Sequence, residues 1–196
     1  MDLEGSSQLT PAAGCRSERS ALLLHICCGP CATATEEFWT AQGYETVGLF
    51  YNPNVQPLLE FRRRLEGARL LAGARAFTLL EDLAYNPIEW FRAVGLHEGR
   101  ERCRACIAMR LDVTAAHAKR TGCFAFTTSL AISPWQDHEA IQDGGEAAAA
   151  KHGVSFLYED LRSRYRDSRR QARVLDLYRQ QYCGCVVSEW ERYRDT

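Results

Sequence analysis

Nine cysteines occur in these 196 residues, and seven of them fall into three tight groups. Cys27, Cys28 and Cys31 close the stretch Leu22-Leu23-Leu24-His25-Ile26-Cys27-Cys28-Gly29-Pro30-Cys31. A short apolar run that ends in thiols around a Gly-Pro turn reads as a buried strand delivering sulfur to its carboxyl end, the edge where open α/β sheets carry their sites. Cys28-Gly29-Pro30-Cys31 also spells the motif of thioredoxin-like oxidoreductases, in which a helix N-terminus lowers a thiol pKa. Cys103 and Cys106 sit three apart on a predicted helix, so both thiols share one face. With Cys27 and Cys28 they supply four thiolates, soft ligands that select zinc, copper(I) or iron–sulfur clusters. A closed four-thiolate zinc site would only hold the fold. Adjacent side chains diverge, which suits a larger cluster better than one small tetrahedral ion. Cys183-Gly184-Cys185 can close a strained, easily reduced disulfide or ligate metal. Cys123 reads as a core residue of an apolar strand, and Cys15 as a free thiol in a polar lead-in.

Groups so far apart in sequence need a fold that brings them together. Strands are predicted over Ala21–Ile26, Thr46–Tyr51, Ala76–Leu80, Cys123–Leu130 and Ser155–Tyr158. Pro30 suits the first turn of a helix continuing through residues 33–42, which Gly43 ends. Further helices are expected over residues 58–71, from Asn86-Pro87 to Val94, over 103–120, over 139–152 with a break at Gly144-Gly145, and over a basic, tyrosine-rich region 161–182. The tail from Ser188 carries no functional signal. Alternating strands and helices imply a single α/β domain over residues 20–196, a mostly parallel sheet with helices on both faces, behind a disordered lead-in at 1–19. Right-handed crossovers then set the ends of strands one, two and four on one rim.

Composition narrows the function classes. Apolar residues make up 46% of the chain, yet no apolar run approaches the roughly 20 residues of a membrane span. The start, Met1-Asp2-Leu3-Glu4-Gly5-Ser6-Ser7, has neither a basic nor an apolar leader segment, and a cytoplasmic protein is expected. Many thiols with an odd count argue against a disulfide framework. The formal charge of −1 decides nothing about nucleic acid, but among 24 basic residues only Lys119 and Lys151 are lysine. Genomic base composition explains part of that bias; arginine is also the residue that forks onto phosphate and stacks on bases. Arg162, Arg164, Arg166, Arg169, Arg170 and Arg173, with Tyr165 and Tyr178, form a segment leading into the Cys183/Cys185 pair. Its plainer reading is a solvated face neutralised by Glu159, Asp160 and Asp167.

Taken together, the segments Leu24–Cys31, Phe50-Tyr51-Asn52-Pro53-Asn54-Val55-Gln56-Pro57, Cys103-Arg104-Ala105-Cys106 with Arg110-Leu111, Thr127-Thr128-Ser129-Leu130 through Ser133-Pro134, and Tyr178–Cys185 resemble the cobalamin-independent epoxyqueuosine reductase family, QueH. They fall in the family's order and span residues 22–185. The resemblance implies reduction of the epoxide of epoxyqueuosine in a tRNA anticodon loop, the last step in making queuosine. It implies a [4Fe-4S] cluster on Cys27, Cys28, Cys103 and Cys106, a redox-active pair at Cys183 and Cys185, and no cobalamin. It leaves room for an adjacent iron ion near Cys31, Cys183 and Cys185. The family's fold is similar to the adenine-nucleotide α-hydrolase (PP-loop/HUP) type. Here the cysteine turn replaces the phosphate-binding glycine-rich loop, so no ATP use is expected.

The substrate implied is tRNA, held at Arg162, Arg164, Arg169 and Arg170, with an electron donor that the sequence does not identify. Asp137, His138 and Asp160, beyond strands four and five, are candidate proton donors, each also readable as a cap or structural residue. The rival classes are a thioredoxin-like thiol–disulfide oxidoreductase and a zinc-stabilised RNA-binding module.

Overall fold

The computed structural model describes residues 21–83 and 85–196. The lead-in at 1–19 and Cys15 lie outside the described residues. Five strands, β1 (Ala21–His25), β2 (Glu45–Phe50), β3 (Thr78–Glu81), β4 (Ala125–Thr128) and β5 (Ser155–Phe156), form one sheet in the order β3-β2-β1-β4-β5. Every pairing is parallel. β1 is the central strand and is buried along its whole length, which is why it reads as an unbroken apolar run instead of an alternating one.

Seven α-helices occur among the described residues: α1 (Gly29–Ala41), α2 (Leu58–Arg75), α3 (Pro87–Val94), α4 (Gly99–Thr121), α5 (His138–His152), α6 (Tyr165–Val174) and α7 (Val186–Tyr193). Successive β1 residues feed two cores. Leu23 joins Ile107, Leu111 and Ile141 of α4 and α5, while Leu24 joins Phe61, Leu65 and Leu71 of α2 and Ala172 of α6. Helices therefore cover both faces. The strand order reverses direction beside β1, where β2 and β4 leave in opposite directions; doubly wound sheets open a crevice at that switch point.

The expected elements are present with three physical differences. α5 runs unbroken through Gly144-Gly145. A Cβ at Gly145 would stand 2.1 Å from the Phe156 ring, and one at Gly144 3.3 Å from the Ala108 backbone, so these glycines admit close packing and do not break the helix. The basic helix expected to reach Tyr182 stops at Val174; Leu175–Cys185 continues as an irregular strap, with Leu177 buried against the α2 side of the sheet. The tail forms α7, with Cys185 at its N-cap, the Ser188 N–H donating to the Cys185 Sγ at 3.4 Å.

Candidate active site: a thiol-lined cleft at the switch point

The end of β1 is pinned to its neighbours through His25. The Thr128 hydroxyl lies 2.9 Å from His25 Nδ1, and Nε2 lies 3.1 Å from the Tyr51 carbonyl. The Leu130 N–H occupies the acceptor side of Thr128 Oγ1, so the hydroxyl donates to Nδ1 and Nε2–H donates to Tyr51. Burial, aided by the Arg110 charge, lowers the His25 pKa to about 4, and the ring stays neutral. One imidazole thus ties the ends of β1, β2 and β4 together.

Beyond that tie the chain turns into α1. The Cys27 N–H donates to Ser129 Oγ at 3.0 Å, and the same hydroxyl donates to Cys27 Sγ at 3.3 Å. Cys28 is the N-cap of α1, with Pro30 in the first turn, where its missing N–H leaves no donor unpaired. Gly29 is required by crowding: a Cβ there would stand 2.4 Å from the carbonyl oxygen of Gly67 in α2. The sulfurs of Cys27, Cys28 and Cys31 lie within 4.8 Å of one another, all three buried, at a helix N-terminus whose dipole favours negative charge. Hydrogen bonds from the Cys28 and Cys31 thiols and from Ser129 hold the Cys27 thiol well below its ordinary range. Burial pushes Cys28 far up, and the Cys27 sulfur does the same to Cys31. Within the trio, negative charge is therefore favoured on Cys27 over Cys28 and Cys31. Gln180, from the strap, donates its Nε2–H to Cys28 Sγ at 2.9 Å.

Cys103 and Cys106 project from α4 on the opposite wall. Cys106 packs with Trp90, Val94 and Cys185, and burial raises both thiols. Arg110, one turn on, is buried and donates Nε–H to the Cys106 carbonyl at 3.2 Å. Its guanidinium lies in the field of Cys106, Cys183, Cys27 and Cys185.

The Cys183-Gly184-Cys185 turn is clamped by α2 and by the loop after β2. Buried Arg64 donates to the carbonyls of Cys183 (2.7 Å) and Tyr182 (3.1 Å) while its Nε–H pairs with Glu60 (2.8 Å). The Gln56 N–H donates to the Gly184 carbonyl at 2.8 Å, and Gln56 Oε1 accepts from the Val186 N–H at 3.1 Å. Gly184 has φ +136°, and a Cβ would stand 2.9 Å from Arg64 Nη1, so conformation and contact both demand glycine. Cys183 is exposed and accepts from Gln136 Nε2 at 3.3 Å; Cys185 is buried.

One cleft of about 860 Å³ is lined by Cys27, Cys31, Cys103, Cys106, Cys183 and Cys185, with Cys28 immediately behind. Residues of all three cysteine groups line it; among the described residues the sulfurs within 4.8 Å of one another are those of Cys27, Cys28 and Cys31. Four buried polar atoms on residues of its wall lack a hydrogen-bond partner among the described residues, Asn54 Oδ1, Trp90 Nε1, Arg102 Nε and Gln180 Oε1. Buried polar groups are rarely left so, and their concentration here marks a place built around a bound group. The donor set is sulfur-rich, as thiophilic metal chemistry requires.

The remaining expected residues divide. Of the four arginines assigned to tRNA, Arg169 lines the cleft. Arg162 is bound to Asp160, Arg170 to Asp167 (2.8 Å), and Arg164 lies over the Phe38 ring (5.3 Å). Asp137 caps α5 and is held to about 2 chiefly by the Arg100 hydrogen bond; Arg162 does the same to Asp160. Both are fixed carboxylates, unsuited to donate a proton near neutrality. His138 accepts from the Tyr158 hydroxyl (2.7 Å) and donates to the Ser133 carbonyl (2.9 Å), which gives it a structural role. Sequence reasoning did not single out Arg64, Arg110, Gln180 or His25 as site-building residues. The only local signal for Arg64 was its i, i+4 spacing from Glu60.

A doubly wound parallel sheet that opens a thiol-lined cleft at its switch point defines an α/β enzyme domain with oxidoreductase chemistry at hand. The family model described as epoxyqueuosine reductase QueH matches residues 22–191. The epoxyqueuosine reductase QueH of Dehalococcoides mccartyi is 46% identical over 173 residues, covering 88% of this chain and 94% of that protein. Those of Thermotoga maritima (34% over 179 residues; 87% and 91%) and Streptococcus pyogenes (36% over 183 residues; 88% and 71%) are similar along the same span. The chain belongs to the epoxyqueuosine reductase QueH family, and it is an oxidoreductase of queuosine biosynthesis.

Proposed function

We propose that this chain reduces the epoxide of epoxyqueuosine in the anticodon loop of tRNA to the cyclopentene of queuosine. The carrying observation is the meeting of six thiols in one cleft at the sheet's switch point in a member of this family. Cys27, Cys28, Cys103 and Cys106 would hold a [4Fe-4S] cluster, with an adjacent iron ion near Cys31, Cys183 and Cys185. Bound there, such a group supplies single electrons and a Lewis acid for the epoxide oxygen.

The chain's own residues account for the rest. Cys183 and Cys185 pass from dithiol to disulfide, releasing two electrons and two protons. Both epoxide C–O bonds break, the C=C bond forms, and the oxygen leaves as water. An electron donor, still to be identified, returns the disulfide to dithiol. Arg110 offsets negative charge on the surrounding sulfurs, and Arg169, the one of the four arginines expected to hold tRNA that lines the cleft, would hold phosphate. The target base must be splayed out of its loop to enter the cleft. The reaction is cytoplasmic on this reading, where tRNA is found; no helix among the described residues is long and apolar enough to cross a membrane.

The test is anaerobic purification with iron, sulfide and turnover assays on wild type and Cys103→Ser. Broad absorbance near roughly 400 nm is expected of the wild type, and its loss together with turnover in the variant. Intact iron and full turnover in Cys103→Ser would defeat the cluster assignment. A colourless zinc protein, or a metal-free one active on disulfides, would defeat the reductase reading.

A further inference from the structure

We propose that Trp135 and Tyr165 form a ledge on the cleft rim, on which an unpaired nucleobase flanking the modified nucleotide stacks. The proposal rests on the tRNA reading given above and adds a named binding surface to it. Trp135 is 75% exposed, although a ring of its size is usually kept largely inside. It is not loosely placed. Its backbone N–H donates to Ser133 Oγ at 3.3 Å, and its ring meets that of Tyr165 edge to face, centroids 5.0 Å apart and planes at 82°. Tyr165 opens α6 and is partly buried, so it braces the indole from the protein side.

Position gives the ledge its meaning. Both rings line the same cleft as the six thiols. The residue after Trp135, Gln136, bonds to Cys183 Sγ at 3.3 Å, so the indole stands one residue from a contact to the exposed thiol. Arg169, one turn along α6 from Tyr165, lines the cleft as well. An aromatic face beside a guanidinium at the mouth of a deep pocket has the chemistry of a single-stranded RNA site, where bases stack on rings while cations follow the backbone. Splaying one nucleotide into the cleft unstacks its neighbour, and the ledge offers that neighbour a new surface. Stacking reads no base edge, so the ledge would grip without demanding sequence.

The experiment uses an unmodified anticodon stem-loop RNA, which separates binding from turnover, followed by intrinsic tryptophan fluorescence. Trp39 and Trp90 are buried and Trp190 lies on α7, so the difference between wild type and Trp135→Phe isolates the ledge. Quenching is expected in wild type and is lost in Trp135→Phe, while binding by that variant persists. Trp135→Ala should weaken the complex about 5- to 150-fold, the loss of one base–aromatic stack, with an unchanged salt slope because no phosphate contact is removed. A fully paired stem without the loop should give no quench. Wild-type affinity within twofold in Trp135→Ala, with no quench in wild type although the stem-loop binds, would overturn the ledge and leave the tRNA reading standing. Failure of wild type to bind the stem-loop at all would overturn both. Because Trp135 is exposed, the variants keep the fold, which circular dichroism checks.

Discussion

Arg64 is the residue on which the position of Cys183 and Cys185 depends, and its replacement by methionine makes a demanding test. Arg64 and Glu60 are 2% and 5% exposed, and Arg64 spans α2 to the strap through two carbonyl contacts. Methionine keeps the stem and removes three charge-assisted hydrogen bonds, at 2.7, 2.8 and 3.1 Å. Summing about 1.5–3 kcal/mol for each would overshoot, because the freed carbonyls can meet water once the strap lifts. The decisive loss is Glu60, left as a buried carboxylate with the Tyr178 hydroxyl (2.6 Å) as its remaining partner. Breaking a buried pair from one side costs about 3–5 kcal/mol, a large share of a domain's net stability. Denaturant unfolding should report that loss. Hydrogen exchange should quicken at the Gln56 and Val186 amides, which bond across the clamp, and stay slow in β1. Adding Glu60→Gln to Arg64→Met should recover part of the stability by removing the orphaned charge. A loss below about 1 kcal/mol with unchanged exchange at Gln56 and Val186 would refute the clamp, since no buried pair would then have been broken.

Other consequences follow from the same geometry. Gly29→Ala should destabilise by about 1–3 kcal/mol and lower metal content, because its Cβ meets the Gly67 carbonyl at 2.4 Å; Gly67→Ala, whose Cβ would stay 3.9 Å from Gly29, should be neutral or stabilising. Equal losses in thermal unfolding would contradict that asymmetry. Asp137, held to about 2 mainly by Arg100, contributes stability above the usual aspartate range and loses it as pH falls toward that value. The stability gap between wild type and Asp137→Asn should accordingly be open at neutral pH and narrow below about pH 4; a gap that widens on acidification would reverse the sign. Arg169→Gln should flatten the salt slope of tRNA binding by about one unit or somewhat less, while Arg170→Gln, already paired with Asp167, should leave it unchanged.

The sheet and the three thiol groups were legible because their signals are local. An apolar run closed by Cys27-Cys28-Gly29-Pro30-Cys31 announces a central strand feeding a helix, and alternation of strands with helices fixes a parallel sheet. What stayed hidden depends on partners far away in sequence. Helical periodicity continues weakly past Val174, yet Leu177 turns inward to the apolar layer beside α2, and the strap follows it. Gly144 and Gly145 carry the signature of a helix break and serve instead to admit Ala108 and Phe156. Arg64 looked like one cation among several on an amphipathic helix until the strap was laid over it. Asp137 is a case of the same kind: Arg100, which holds its carboxylate, lies 37 positions away, and nothing in the sequence pairs them.

The turn after β1 occupies the position where doubly wound sheets commonly hold a phosphate, and its physics is conserved while its chemistry differs. A helix N-terminus stabilises an anion whether that anion is a phosphate or a thiolate. Phosphate sites use glycine so that the backbone can approach the ligand; here the close approach is between α1 and α2, at Gly29 and Gly67, and the side chains supply the site. That exchange needs the turn to be held without backbone contacts to a ligand. Neutral His25 and the Ser129 hydroxyl do the holding, joining β1 to β2 and β4 from below. The Arg64 clamp brings the second sulfur pair to the same opening from above. Thiols drawn from the first turn, from α4 and from the strap thus meet in one cleft because each is fixed by its own neighbours.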